Sequence, residues 1–212
     1  MKKTFGLLVG VLLSLSFTAN AQKVKTQKTH ISFFSSTPVE DISSNNYKAV
    51  GTIDPSTGDV VFVVPMQSFE FEKALMQKHY NSPKFLDTKT YPKGKLVGKI
   101  KDPASVDFKT DGTYTVTVVG DMSIHGKTNK IEEPATIVIE GGSIKLNSKF
   151  NLTLADYGVA FEGGKPAENI AKTIEIKVDA IFYFLINANS NKFIILKKHR
   201  SKERCFFNIY NN

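Results

Sequence analysis

The 212-residue chain has a single cysteine, Cys205. It therefore has no internal disulfide, and the folded domain must stand on its hydrophobic core. Long apolar runs are scarce too. The longest lies in MKKTFGLLVGVLLSLSFTANAQ, where Phe5 to Phe17 follow two lysines and precede Ala19-Asn20-Ala21. That run is short for a bilayer span and is broken by serines. Its flanks read as a secretory signal over residues 1–21, with the mature chain starting at Gln22. The alternative is an uncleaved anchor. No cysteine follows the apolar run, so a lipoprotein signal is excluded. The expectation is export to the periplasm or the medium, without integral insertion in the membrane.

Excess charge of one sign is also missing from the domain itself. The formal charge is +8. Two positive charges, Lys2 and Lys3, belong to the leader. Five net positive charges sit in residues 183–212, where Lys192, Lys197, Lys198, Arg200, Lys202 and Arg204 face only Glu203. One net charge remains for residues 22–182, so the high pI is no argument for nucleic-acid binding. Residues 183–212 contain no Gly, Pro, Asp, Thr or Val and show no clean periodicity. They read as an atypical basic tail: a frameshifted or read-through extension, or a poorly ordered segment. A membrane-surface segment is the third reading, although the apolar residues make no continuous face.

Catalytic signatures are lacking as well. There is no G-x-S-x-G, and the GGKP at Gly163 has no strand-to-helix context for a phosphate loop. His30, His79 and His125 lack the spacing of a metal pair. No catalytic or metal residues are assigned, and the chain is expected not to be an enzyme. A metal site joining the three histidines is the sharpest rival reading.

What is present is strand pattern. Thr29–Ser35, Tyr47–Ile53, Val60–Met66, Lys95–Lys101 and Thr113–Ile124 read as strands, as do Thr136–Glu140, Ser143–Leu146 and Lys149–Leu154. The clearest is TIEIKVDAIF, in which Ile174, Ile176, Val178 and Ala180 share one face. DPSTGD is a turn. About eight strands with tight turns predict an all-β, antiparallel barrel or sandwich in one domain, residues 22–182. One segment departs from this. SFEFEKALMQKHY predicts a helix over about 69–80, capped by Ser68, with Glu70 and Glu72 in its first turn. A lone helix would cover one end of a barrel.

Three motifs carry a resemblance. The first is the helix and loop LMQKHYNSPKFLDTKTYPKGKL, with Met76, His79, Phe85, Asp87, Tyr91 and Pro92. The second is GDMSIHGKTNK, with Gly120, Ile124, His125, Gly126, Thr128 and Lys130. The third is DYGV, Asp156 to Val159. In this order they resemble the YceI-like family over about residues 28–181. The departures are FFSSTPVEDISSNN in the first loops, Tyr80 where the family has leucine, and Leu154-Ala155 where an arginine is usual. They bear on the ligand, because the first loops would shape a cavity mouth.

The resemblance implies an eight-stranded, lipocalin-like antiparallel barrel with an apolar lumen that binds an amphiphilic isoprenoid-type lipid. No other cofactor is implied, and a homodimer is left open. An eight-stranded barrel holds either packed side chains or one small ligand. The expected cavity residues are Phe33, Phe62, Val64 and Met66 on early strands, and Phe71, Leu75 and Met76 on the helix. Ile100, Val116, Val118, Phe150, Leu152 and Ile176 complete the set from later strands. For each of these, simple core packing is the competing reading. His79, Tyr80, His125 and Lys127 are the expected mouth or head-group residues. His125-Gly126 is above all a hairpin turn, since Gly126 suits a positive φ. The rival to lipid binding is a filled barrel that serves as a metal-binding or partner-binding envelope protein.

Overall fold

The structure, a computed structural model, describes residues 23–159, 161–162, 165–166 and 170–183. The expected signal peptide, and the expected tail beyond Tyr183, lie outside these residues. The strands are β1 (Val24–Ser36), β2 (Asp41–Asn46), β3 (Val50–Ile53), β4 (Asp59–Pro65), β5 (Lys93–Ile100) and β6 (Gly112–Ile124). They continue as β7 (Lys127–Glu140), β8 (Ser143–Thr153), the two-residue β9 (Phe161–Glu162) and β10 (Lys165–Pro166), and β11 (Thr173–Tyr183). The single α-helix, α1, spans Ala74–Asn81.

The main sheet runs β11-β8-β7-β6-β5-β4-β3-β1, every neighbour antiparallel, and β1 pairs back onto β11. Eight strands thus close an antiparallel barrel. The first and last strands form the closing seam, from Thr26↔Phe182 to Phe34↔Glu175. Alternation dictates which residues point inward. Ile174, Ala180 and Phe182 of β11 are buried, and so are Ala135, Ile137 and Ile139 of β7.

β1 is long enough to serve two partners, β3 at Val24–Lys25 and β2 at Ile31–Ser36. The sequence predicts a strand over Tyr47–Ile53, but β3 begins only at Val50, after a corner set by Asn46. This side chain is fully buried; its amide donates to the Pro65 carbonyl (2.9 Å) and its oxygen accepts from the Lys48 and Ala49 N–H groups. An Asx side chain here replaces ladder bonds with a local corner. Conversely, the separate strands expected at Ser143–Leu146 and Lys149–Leu154 are one continuous strand, β8.

The helix is also shorter than the sequence predicts. Ser68 closes a 3-10 turn, Met66–Ser68, and Glu70 is extended, exchanging backbone hydrogen bonds with Asn45 (3.2 and 2.8 Å). Ser44 Oγ adds a bond to the Glu70 carbonyl (2.8 Å). This pairing with β2 outcompetes the helical start, so Glu70 and Glu72 lie ahead of the helix rather than in its first turn. α1 and the loop to Pro92 fold over one end of the barrel.

The interior has two levels. At the end of the Gly141-Gly142 turn, Ile53, Ile100, Val116, Ile137, Ile144 and Phe182 pack a filled core. At the helix-covered end, Ile31, Met66, Phe69, Tyr80, Leu86, Met122, Leu152, Leu154, Tyr157 and Ile174 form a second cluster. This second cluster surrounds open space.

Candidate functional site

That space is a cavity of about 870 Å³, within the range of small-molecule binding sites. Its walls are inward-facing aliphatic and aromatic side chains of β1, β4, β6, β8 and β11. Its rim carries Glu40 and Ile42 from the β1–β2 hairpin, and Lys73, Lys78 and His79 from the helix. The rim is tied across by an ion pair, Lys73 Nζ to Glu40 Oε1 at 3.0 Å.

Of the residues expected at the cavity, Phe33, Phe62, Val64, Met66, Val118, Phe150, Leu152 and Ile176 line its wall, and Phe71, Leu75 and Met76 line it from the helix side. Leu75 stands at the rim, 63 % exposed. Ile100 and Val116 do not line it, and that expectation is corrected. Both face inward, but they sit in the filled half of the barrel. Period-two alternation gives the face of a residue and not its height along the barrel axis. Of the expected mouth residues, His79 and Tyr80 line the cavity, whereas His125 and Lys127 do not.

His125 and Lys127 have a different setting. His125 and Gly126 are the central residues of a two-residue hairpin joining β6 to β7, with φ of 51° and 74°. Both signs fit a type I′ turn, the geometry that suits twisted strands. Tyr91 packs over the turn, its ring edge-on to His125 at 4.8 Å. A Cβ on Gly126 would come within 2.6 Å of the Tyr91 ring. On the other side His125 Nδ1 lies 3.3 Å from the Tyr157 carbonyl, and the Asn129 amide donates to the Asp156 carbonyl at 2.9 Å. The Lys127 side chain lies against Gly158. The three sequence motifs thus meet in one clasp that holds the short 3-10 turn Leu154–Tyr157 against the barrel.

The aromatic lining gathers around Tyr80. Its ring lies 4.9 Å from Phe71, 5.7 Å from Phe69, 6.1 Å from Phe33 and 6.3 Å from Phe85. Its hydroxyl is buried and has no hydrogen-bond partner among the described residues. Burial pushes the phenol well above the usual tyrosine range, so it stays neutral.

Sequence reasoning missed Glu133. In KTNKIEEPATIVIE the alternation of β7 places Ile131, Glu133, Ala135 and Ile137 on the inward face, and Glu133 lines the cavity. The strand was expected to begin only at Thr136, because Pro134 and two adjacent glutamates argue against a central strand. The β7–β8 ladder indeed stops at Ala135↔Ser148, while β7 continues, paired to β6 alone. Ser148 Oγ donates to the Pro134 carbonyl (2.7 Å) and spans the parting strands.

The histidines do not converge. His30 Nε2 bonds Asn45 Oδ1 at 2.8 Å on the barrel flank, His79 stands at the mouth, and His125 is in the clasp. Among the described residues no three His, Cys, Asp or Glu side chains are grouped to hold a metal ion. Among them, too, no helix is long and apolar enough to cross a membrane.

The fold and the cavity together define a class: a closed eight-stranded antiparallel, lipocalin-like barrel, filled at one end and hollow and apolar at the other. The sequence matches the YceI-like domain over residues 16–182, most of the chain, and the protein belongs to that family. Curated relatives include UPF0312 proteins of Pseudomonas putida (strain W619), 31 % identical over 110 residues, and of Pseudomonas syringae pv. tomato, 35 % identical over 92 residues. These alignments cover 49 % and 41 % of this chain, and 52 % and 44 % of the relatives. The chain thus spans about half the length of the curated relatives it matches. Among solved structures, it resembles a polyisoprenoid-binding domain from Saccharophagus degradans implicated in plant cell wall breakdown. The TM-score is 0.64 at 13 % identity, over 78 % of this chain and 99 % of that one. It also resembles BcnA of Burkholderia cenocepacia, with a TM-score of 0.61 at 19 % identity, over 72 % of this chain and 95 % of that one. At these identities the likeness concerns the fold.

Proposed function

We propose that the protein is an exported, non-catalytic carrier or store of an amphiphilic isoprenoid-type lipid, held with its chain along the barrel lumen. The observation that carries this reading is the apolar cavity of about 870 Å³ at the helix-covered end of a closed barrel. A flexible apolar chain gains about 0.8 kcal/mol per buried CH₂, so such a lumen binds tightly without any reactive group. Phe33, Phe71 and Phe150 offer broad surfaces to a branched chain, and Met66, Met76 and Met122 adapt to its irregular outline. The description of the S. degradans domain as polyisoprenoid-binding supports the ligand class. Export rests on the leader-like residues 1–21. A filled barrel, the rival reading, leaves no room of this size.

The test is native mass spectrometry of the protein purified from its host without detergent, followed by solvent extraction. The expected result is a stoichiometric adduct that extracts as a polyprenyl-type lipid. A bare mass that does not change on incubation with polyprenyl lipids would refute the proposal.

A further inference from the structure

Among the described residues the lumen carries one acidic group beyond its rim, Glu133. The side chain is half-buried and points inward between Ile131, at the hollow level, and Ala135, which belongs to the filled core. It therefore stands within the cavity wall, whose lining continues beyond it to Leu146. Its cross-strand partner on β6, Val118, is buried and offers no charge. Ser148, the nearest hydroxyl on β8 by register, has its proton committed to the Pro134 carbonyl. Glu132 next in sequence faces outward and pairs with Lys101 at 2.6 Å. Lys95 also touches the cavity, but it is registered with Ser123, five residues along β6 from Val118, and is exposed. The other nearby polar groups, Tyr157 and Asp156, add no positive charge; burial first, and then the charges of Asp156 and Glu133, hold the Tyr157 phenol above its ordinary value and so neutral. Burial raises the Glu133 carboxyl above its ordinary value.

A carboxyl group facing an apolar cavity without a protein donor is costly unless something hydrogen-bonds to it. No donor among the described residues fills that role, and the cavity is the side from which one can come. We propose that Glu133 is a polar subsite inside the lumen, and that the ligand is a long-chain alcohol or amine bound polar end first. A hydroxyl or ammonium group would donate to the carboxylate, while the branched chain fills the aromatic half above it. The same carboxylate repels a phosphate or carboxylate head group at that depth, so it selects by charge as well as by attraction. This assignment rests on the lumen being a lipid site, as proposed above.

The test uses delipidated full-length protein and four probes with one carbon skeleton: geranylgeraniol, geranylgeranylamine, geranylgeranyl phosphate and the corresponding hydrocarbon. Their dissociation constants are compared for wild type, Glu133→Gln and Glu133→Leu. A hydrogen bond to a charged partner predicts that the alcohol and the amine bind about 10-fold more tightly than the hydrocarbon. Glu133→Leu should remove that preference and raise hydrocarbon affinity, because no carboxylate is then desolvated by the chain. Glu133→Gln should keep part of the alcohol preference and lose that for the amine. Equal affinity for alcohol and hydrocarbon, a preference that survives Glu133→Leu, or tightest binding of the phosphate would each overturn the subsite and leave the lipid-carrier reading standing. Failure of all four probes to bind would overturn both.

Discussion

Tyr80 offers the sharpest test of the packing argument. Its hydroxyl is buried beside four phenylalanine rings without a partner among the described residues, and the residue is 5 % exposed. An unsatisfied buried hydroxyl costs about 1–3 kcal/mol. Tyr80→Phe deletes that oxygen and keeps the ring contacts with Phe33, Phe69, Phe71 and Phe85. The expected outcome is therefore a gain of about 1 kcal/mol or more. For a domain of this size that raises Tm by roughly 2–4 °C per kcal/mol. The assay is equilibrium denaturation of delipidated protein in urea, in which the midpoint should rise while the slope stays the same. Tyr80→Ala, which empties the cage, should instead lose roughly 3–5 kcal/mol. If Tyr80→Phe lowers stability by about 1 kcal/mol, the hydroxyl has a partner in the folded protein and the reasoning is wrong.

Other substitutions probe other levels of the structure. Gly98 and Gly120 face each other where β5 and β6 cross closely, and a Cβ on Gly120 would sit 2.4 Å from Gly98 Cα. Gly120→Ala should cost about 1–3 kcal/mol by thermal denaturation, and a neutral result would mean the strands separate easily there. Val64→Trp should fill the lumen and abolish the lipid adduct in native mass spectrometry while the far-ultraviolet circular dichroism stays that of a barrel. An adduct of unchanged mass and occupancy would place the ligand elsewhere. The Ser56 hydroxyl bond to Asp54 (2.5 Å), aided by the backbone N–H groups of Ser56 and Thr57, holds the Asp54 carboxyl below its ordinary value. A carboxyl with a lowered folded-state pKa stabilises the fold above the unfolded value of about 4, and this contribution is lost as the pH falls through the folded value. Ser56→Ala should therefore cost about 1 kcal/mol at neutral pH, and the difference from wild type should shrink in acid. A deficit that is constant with pH would show that the hydroxyl acts by packing.

The strand content was legible because alternation is a local property. TIEIKVDAIF reads as half-buried whatever it packs against, and its observed burial follows the reading at Ile174 and Ala180. The hairpin at His125-Gly126 was legible for a similar reason, since the positive φ at Gly126 needs no distant partner. The helix start was not. Ser68 and the two glutamates make a good local cap, but the backbone of Glu70 gains more by pairing with Asn45, which is 25 positions away in the chain. The late start of β3 was not legible either, because the corner before it depends on the distant Pro65 carbonyl, which accepts from the Asn46 amide.

The site divides in the same way. The sequence by itself determined an antiparallel all-β domain, barrel or sandwich, with an inward apolar face and one helix, because period-two patterning and turn chemistry act within a few residues; the closed barrel was implied only by the family resemblance. The motifs around Tyr91, His125 and Tyr157 also identified the family. Only the tertiary structure decided where that inward face is packed and where it is hollow. Ile100 and Val116 alternate as faithfully as Val118 and Leu152, yet the first pair lies in the filled core and the second on the cavity wall. Height along the barrel is set by strand register and by the excursion folded over the mouth, and neither is written in the period of any one strand. Glu133 became visible on the same terms: its inward direction belongs to β7, but the cavity it faces belongs to the whole barrel.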